Sequence, residues 1–289
     1  MSALGLITKS ASTAAQAQTA MSCSLPPEIL DLIVDRLRDE RITLKACCVV
    51  SKSWVPRARK HLFAYIEFIA LQRPIESWMQ AFPRPYSSLA HYARALSFRG
   101  QDTSMLANPD ACRWIRAFRH VQNLYMDTLG YNHYGISFVQ LHGFSPTLKS
   151  LALTYTSVSL QEVFNLICSF PLLEDLELIS YTSRQPDADG WNPPPTSPKL
   201  TGTLKIQGKL RFVARRLCDL PGGLHFSKIR VSHSNEEPTS ATDLVLKCSD
   251  TLESFTISHY TSSAFVSTSV ISRYLTTVRE RRRVWDTFA

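Results

Sequence analysis

From residue 25 onward the hydrophobic pattern changes rhythm twice. Between 25 and 63, apolar residues recur at helical spacing. Ile29, Leu30, Ile33, Val34 and Leu37 make one stripe, the mark of an amphipathic helix. Leu25-Pro26-Pro27 opens that helix. Proline fits the first turn because its missing N–H would have no partner there. Asp35, Arg36, Arg38, Asp39 and Glu40 read as the opposite side or the exit turn. Thr43 is placed to cap a second short helix carrying Leu44, Ala46, Cys47, Val49 and Val50,. Pro56 restricts Val55 and marks a break or the first turn of a third helix. That helix runs toward Leu62 and Phe63, with Arg57, Arg59 and Lys60 outward. Three short helices in about 40 residues build too small a core to stand alone. A partner or the rest of the chain must cover their apolar surface.

The second rhythm is a triplet, apolar-x-x-apolar-x-apolar. It reads Ala93-Leu96-Phe98, Val121-Leu124-Met126, Leu148-Leu151-Leu153 and Leu173-Leu176-Leu178. It continues as Leu204-Ile206 (with Thr201 in the first slot), Phe226-Ile229-Val231 and Leu252-Phe255-Ile257. The central members are separated by 28, 27, 25, 28, 25 and 26 residues. Helix-like stretches lie between most of them. Ser159 to Phe170 is the clearest, with Leu160, Val163, Phe164 and Ile167 on one face and Pro171 as a stop,. A strand and a helix repeated at this period predict a stacked α/β solenoid with parallel strands. The stretch from Ser183 to Pro198 carries five prolines and excludes a helix. It reads as a surface loop around Trp191, either a binding loop or a packed connector.

Two resemblances follow. Leu25-Pro26, Glu28-Ile29-Leu30, Ile33, Leu37, Ala46-Cys47 and Val49-Val50-Ser51-Lys52-x-Trp54 resemble the F-box. Pro56-Arg57-x-Arg59-Lys60-His61-Leu62-Phe63 is similar to its extension in fungal F-box proteins. Lys52 stands where many F-boxes carry arginine. The triplets resemble leucine-rich repeats, whose periods run about 20–29 residues. The asparagine or cysteine usual at the ninth slot is absent: Thr156, Tyr181, Ser234 and Tyr260 stand there. Irregular repeats are therefore expected, with other groups satisfying the backbone amides.

These resemblances imply an α-helical F-box over 25–65 and a leucine-rich-repeat-like α/β domain over 66–260. Residues 1–24 read as a disordered tail and 261–289 as a cap or tail. In that cap Val270, Ile271, Tyr274, Leu275 and Val278 suit a helix face. The F-box docks on a Skp-type adaptor and through it on a cullin ligase. By position, Leu25, Pro26, Ile29, Leu30, Ile33, Val50 and Trp54 would carry the docking. On pattern alone these residues read as an intramolecular core, and the motif turns the reading toward a helix-groove interface. The implied function is a substrate-recruiting subunit of a Skp-cullin-F-box ubiquitin ligase, itself without catalysis. The alternative is a non-ligase repeat scaffold for protein–protein interaction.

Strand residues alternate in direction, so residues between the triplet members would line the concave sheet. Tyr125, Asp127, Glu177, Lys205, Lys228 and Arg230 are the candidate contacts for an unknown protein target. The basic members suit an acidic or phosphorylated peptide. Pairing of Glu177 with Lys205 across neighbouring strands is the competing reading.

Composition narrows the remaining classes. The chain of 289 residues is 44% hydrophobic, with a mean hydropathy of -0.09, and no apolar run nears the ~18–20 residues of a membrane span. The net charge of +8 raises nucleic acid, but the cations are spread and acids accompany most of them. The densest basic run is Arg279, Arg281, Arg282 and Arg283, interrupted by Glu280. Seven scattered cysteines without a Cys-x-x-Cys pair argue against structural zinc and for a reducing compartment, cytosol or nucleus,. No H-E-x-x-H, G-x-S-x-G or glycine-rich phosphate loop occurs,. Neither a cofactor nor a metal is expected.

Overall fold

The computed structural model describes residues 25–69, 72, 74–85, 89–100, 108–127, 138–142, 144–154, 159–181, 193–208, 210–233, 239–261 and 264–268. The N-terminal tail, Trp191 with residues 183–192, the ninth-slot Thr156 and Ser234, and the helix face and basic run of 269–289 lie outside these.

Three helices come first: α1 (Pro27–Arg36), α2 (Arg41–Val50) and α3 (Val55–Leu62). Pro27 and Pro56 each stand in a first turn, where the lost N–H costs nothing. α2 starts three residues before the position expected from a cap at Thr43. Thr43 is inside the first turn rather than capping it, and its Oγ1 donates to Glu40 Oε2 at 2.9 Å. The helices share a small core of Val34, Leu44, Cys47, Ala58 and Leu62, with Leu37, Cys48, Trp54 and Phe63 packed around it.

Asp35 and Arg57, expected on solvent-facing sides, instead meet. Arg57 Nε donates to Asp35 Oδ1 at 2.5 Å, its second nitrogen donates to Oδ2, and His61 Nε2 lies 2.7 Å from Oδ1. A forked guanidinium–carboxylate pair is directional as well as charged. It fastens α1 to α3 where the five-residue core has little apolar area to do so.

Among the described residues nine strands follow in one sheet, placed in the order of the chain. They are β1 (Tyr65–Ile69), β2 (Ala95–Arg99), β3 (Asn123–Asp127), β4 (Ser150–Thr154), β5 (Asp175–Tyr181), β6 (Thr203–Gly208), β7 (Lys228–His233), β8 (Ser254–Thr261) and β9 (Ala264–Thr268). The first eight are parallel; β9 returns antiparallel along β8. Between them run α4 (Ile75–Ala81), α5 (Pro109–Ile115), α6 (Leu160–Cys168), α7 (Leu210–Cys218) and α8 (Thr239–Lys247). The molecule is therefore a helical unit followed by an α/β unit on a parallel sheet.

The central residues of the seven triplets, Leu96, Leu124, Leu151, Leu176, Leu204, Ile229 and Phe255, sit side by side in register. One more strand precedes them: Ile66 pairs with Leu96 and Phe68 with Phe98. Phe63-Ile66-Phe68 is itself a triplet, 30 residues before the next. It was masked by Phe63, which also ends the helical motif and packs against both cores.

One face of the sheet packs against the helices. Leu124 and Met126 on β3 are buried there with Ile115, Leu141 and Phe164. Ser159 caps α6, accepting from Glu162 N–H at 3.2 Å, and this helix drives Leu160, Val163, Phe164, Leu166 and Ile167 into that core.

The strands are entered through a repeated backbone ladder. Arg94 and Ala95 N–H both donate to Ala64 C=O; Gln122 and Asn123 donate to Arg94; Lys149 and Ser150 to Gln122; Glu174 and Asp175 to Lys149. Gly202 donates to Glu174, Ser227 and Lys228 to Gly202, and Glu253 and Ser254 to Ser227. Buried amides need such partners. Hydroxyls add to the same turns: Ser145 Oγ donates to Val121 C=O at 2.8 Å, and Thr147 Oγ1 to the same carbonyl at 3.2 Å.

No helix joins β5 to β6 among the described residues. Residues 193–199 run without regular structure, Pro198 is buried, and Ser197 Oγ accepts from Gly222 N–H at 2.7 Å. The described end of the proline-rich stretch is thus a pinned connector. Where it enters β6, Asp175 Oδ1 accepts from Thr203 N–H at 2.5 Å. A Cβ on Gly202 would collide with that carboxylate.

Candidate functional site

The helical unit carries the largest departure from ordinary burial. Leu25, Ile29, Leu32 and Ile33 are exposed at and in α1; Ile42, Val49 and Val50 are exposed in α2. Val49 is 87% exposed, Ile42 85% and Val50 71%. The cause is visible in the helix spacing. On α2, Leu44 and Cys47 point into the small core, while Ile42, Ala46 and Val49, at intervals of four and three, make a second face. On α1, only Val34 is buried. Ile29, Leu32 and Ile33 are exposed along the rest of the helix, and Leu25 is exposed just before it. Both helices pack on α3, so the two apolar faces belong to one unit. Clustered exposed apolar residues of this size mark interaction surfaces in soluble proteins.

The residues expected to dock divide into two groups. Leu25, Pro26, Ile29, Ile33 and Val50 are exposed, and Leu30 is half-buried. Trp54 is half-buried against Val34, Leu44, Cys47, Ala58 and Leu62, so it supports the unit from inside. Leu32, Ile42 and Val49 were missed. Their signal is a further apolar position at helical spacing: Ile42 and Val49 line up with Ala46, and Leu32 follows Ile29 by three.

The residues expected to meet a target lie on the open face of the sheet, but they do not converge. Tyr125 and Asp127 are on β3, Glu177 on β5, Lys205 on β6, and Lys228 and Arg230 on β7. Strands stack about 4.8 Å apart, so β3 and β7 stand roughly 19 Å from each other. Toward the start of the sheet the charges are already engaged. Glu67 Oε1 holds Arg99 Nε at 3.0 Å, and Arg99 lies over the Tyr125 ring, 5.7 Å from its centroid. Asp127 Oδ1 is buried with no hydrogen-bond donor among the described residues. Burial raises its carboxyl above the ordinary value, with Arg99 opposing that shift.

Further along, Lys205 Nζ donates to Glu177 Oε1 at 2.5 Å, so this lysine is spent within the sheet. Lys228 and Arg230 are exposed and make no ion pair among the described residues.

No family model matches the chain, and no curated protein matches it. The functional reading therefore rests on geometry and on the motif. Among the described residues, no three histidine, cysteine or acidic side chains converge as metal ligands. No described helix is long and apolar enough to cross a membrane. Burial pushes the Cys168, Cys218 and Cys248 thiols up to about 11. They are protonated at neutral pH, and only the thiolate is a nucleophile; they pack as small apolar groups.

Proposed function

We propose that this chain is an F-box subunit that recruits targets to a Skp-cullin-F-box ubiquitin ligase. One observation carries the reading: α1 and α2 each expose an apolar face that no described residue covers, and Leu25, Ile29, Ile33, Val49 and Val50 of the F-box-like motif are exposed there. Covering an aliphatic side chain fully is worth roughly 1.5–3 kcal/mol. Ile42, Val49 and Val50 alone leave several such contributions unclaimed. A helix-in-groove partner that covers both faces is the economical way to claim them.

In this reading the docked adaptor links the chain to the cullin, and the parallel sheet is the leucine-rich-repeat-like platform. Lys228 and Arg230 stay open to a target there. The chain supplies no reactive group. It raises the local concentration of a target beside the ubiquitin donor.

The test is titration calorimetry of the chain with a Skp-type adaptor, comparing wild type with an Ile29→Asp, Val50→Asp double variant. Both positions are exposed, so folding is preserved and circular dichroism will show it. Trp54 is avoided because it supports the small core. The expected outcome is tight binding by wild type and at least a 100-fold loss in the variant. Equal binding by both, or no binding by folded wild type, rejects the ligase reading and leaves a repeat scaffold.

A further inference from the structure

A groove beside β1 lies apart from the proposed adaptor face. Among the described residues β1 is the terminal strand of the sheet and pairs on one side only, with β2. Ala64 C=O accepts from Arg94 and Ala95, which sets the direction of the backbone groups that follow. They alternate along a parallel strand. Ile66 and Phe68 therefore turn their N–H and C=O toward β2, and Tyr65 and Glu67 turn theirs outward. Among the described residues nothing meets the outward groups of Tyr65 and Glu67. An open strand edge is a template for an added strand unless something covers it.

The edge opens onto a cavity of about 340 Å³, lined by the consecutive β1 residues Tyr65, Ile66, Glu67 and Phe68. This volume is at the small end for ligand clefts and suits a few residues of extended chain. Its far walls are aromatic. Trp78 and Phe82 on and after α4 stand 4.5 Å apart between ring centroids, and Phe63 meets Trp78 edge-on at 6.1 Å. Arg41, at the start of α2, lines the same cavity and makes no ion pair among the described residues. Glu67, the acid in the lining, is held by Arg99.

We infer that this groove binds an extended peptide of a partner protein, which adds to the edge of β1 as a strand. Backbone bonds to Tyr65 and Glu67 give the register. A large apolar side chain packs in the cavity against the wall formed by Phe63, Trp78 and Phe82, and a carboxylate of the peptide meets Arg41. Strand addition recognises its ligand in this way, by main-chain bonds for affinity and pockets for specificity. The inference does not depend on the adaptor reading, since no residue of the groove is among the adaptor contacts.

The probe is a phage-displayed library of random ten-residue peptides, selected on the 289-residue chain. Enriched peptides are then synthesised and measured by fluorescence polarisation. They are expected to carry an aromatic or large aliphatic residue near an acid. Glu67→Pro removes one outward N–H without touching the β2 pairing, a placement that edge strands tolerate; it should weaken binding at least 20-fold. Glu67→Gln loses the Arg99 ion pair but keeps the N–H, and should bind within 2-fold of wild type. Arg41→Glu should cost about 10-fold. If Glu67→Pro does not fold, methylating alternate backbone nitrogens of the peptide asks the same question from the other side, with the same loss expected.

The inference is overturned if no peptide is enriched, or if enriched peptides bind wild type and Glu67→Pro alike. It is equally overturned if removing residues 1–24 raises peptide affinity 10-fold, which would assign the groove to the chain's own segment. Dimerisation in sedimentation that Glu67→Pro abolishes would assign the edge to a second copy, against a partner peptide.

Discussion

The helical unit and the sheet treat the same kinds of residue in opposite ways. In β1 to β7 the inward residues, such as Phe68, Leu96, Leu124, Leu151, Leu176, Leu204 and Ile229, are buried in the core, and the open face carries polar side chains such as Glu177, Lys205 and Arg230. In the helical unit, five residues form the core, while isoleucines and valines as apolar as those of the sheet stand in solvent. A chain that can bury Leu124 and Phe164 completely has no general difficulty in hiding apolar surface. The faces of α1 and α2 that no described residue covers are therefore a property of that unit, and they are the ground for the docking role proposed above. What holds it meanwhile is partly charge, the Asp35–Arg57–His61 cluster, where the sheet relies on packing.

The contrast can be broken by substitution, beginning with the largest effect. Phe164→Ala empties a fully buried site in the sheet core and should cost about 3–5 kcal/mol, read as a lowered midpoint in urea. Leu44→Ala in the helical core should cost about 2–4 kcal/mol. Its loss should appear in hydrogen exchange of α1–α3 and leave β3–β7 protected. An equal loss of protection in both would mean that the two cores unfold as one.

Acid distinguishes the units more finely. Arg57 first, and His61 second, hold the Asp35 carboxyl well below the usual carboxylate range. A carboxyl depressed in the folded state stabilises above its unfolded value near 4, and that contribution drains away as pH falls toward the folded value. The helical unit should weaken below about pH 4. Asp35→Asn should flatten that dependence and cost about 1–2 kcal/mol at neutral pH, allowing for partial exposure. A thermal melt followed across pH 2–7 checks both. The smallest effect belongs to the open face: Glu177→Gln breaks a half-exposed pair with Lys205 and should change stability by no more than about 1 kcal/mol.

The register of seven strands was legible because the triplet fixes both position and face: Leu151 and Leu153 cannot swap with Ala152 without turning the strand over. β1 was hidden because Phe63 serves two elements. The second apolar faces of α1 and α2 were legible in principle, since Ile42, Ala46 and Val49 keep helical spacing, yet spacing does not tell which of two stripes is buried. The Asp35–Arg57 pair was beyond sequence reading, because 22 residues of chain separate its members and only the packing of α3 on α1 brings them together. Alternation sufficed to put the candidate target residues on the face of the sheet away from the helices. Their dispersal over β3, β5, β6 and β7, and the use of Lys205 by Glu177, required the strand order.

The central claim is that the uncovered helical faces are the docking surface. Hydrogen exchange of the chain with and without a Skp-type adaptor tests it most directly. The account predicts new protection across residues 27–36 and 41–50, with the β3–β7 amides unchanged. Binding that protects the sheet and leaves α1 and α2 exchanging as before would contradict it.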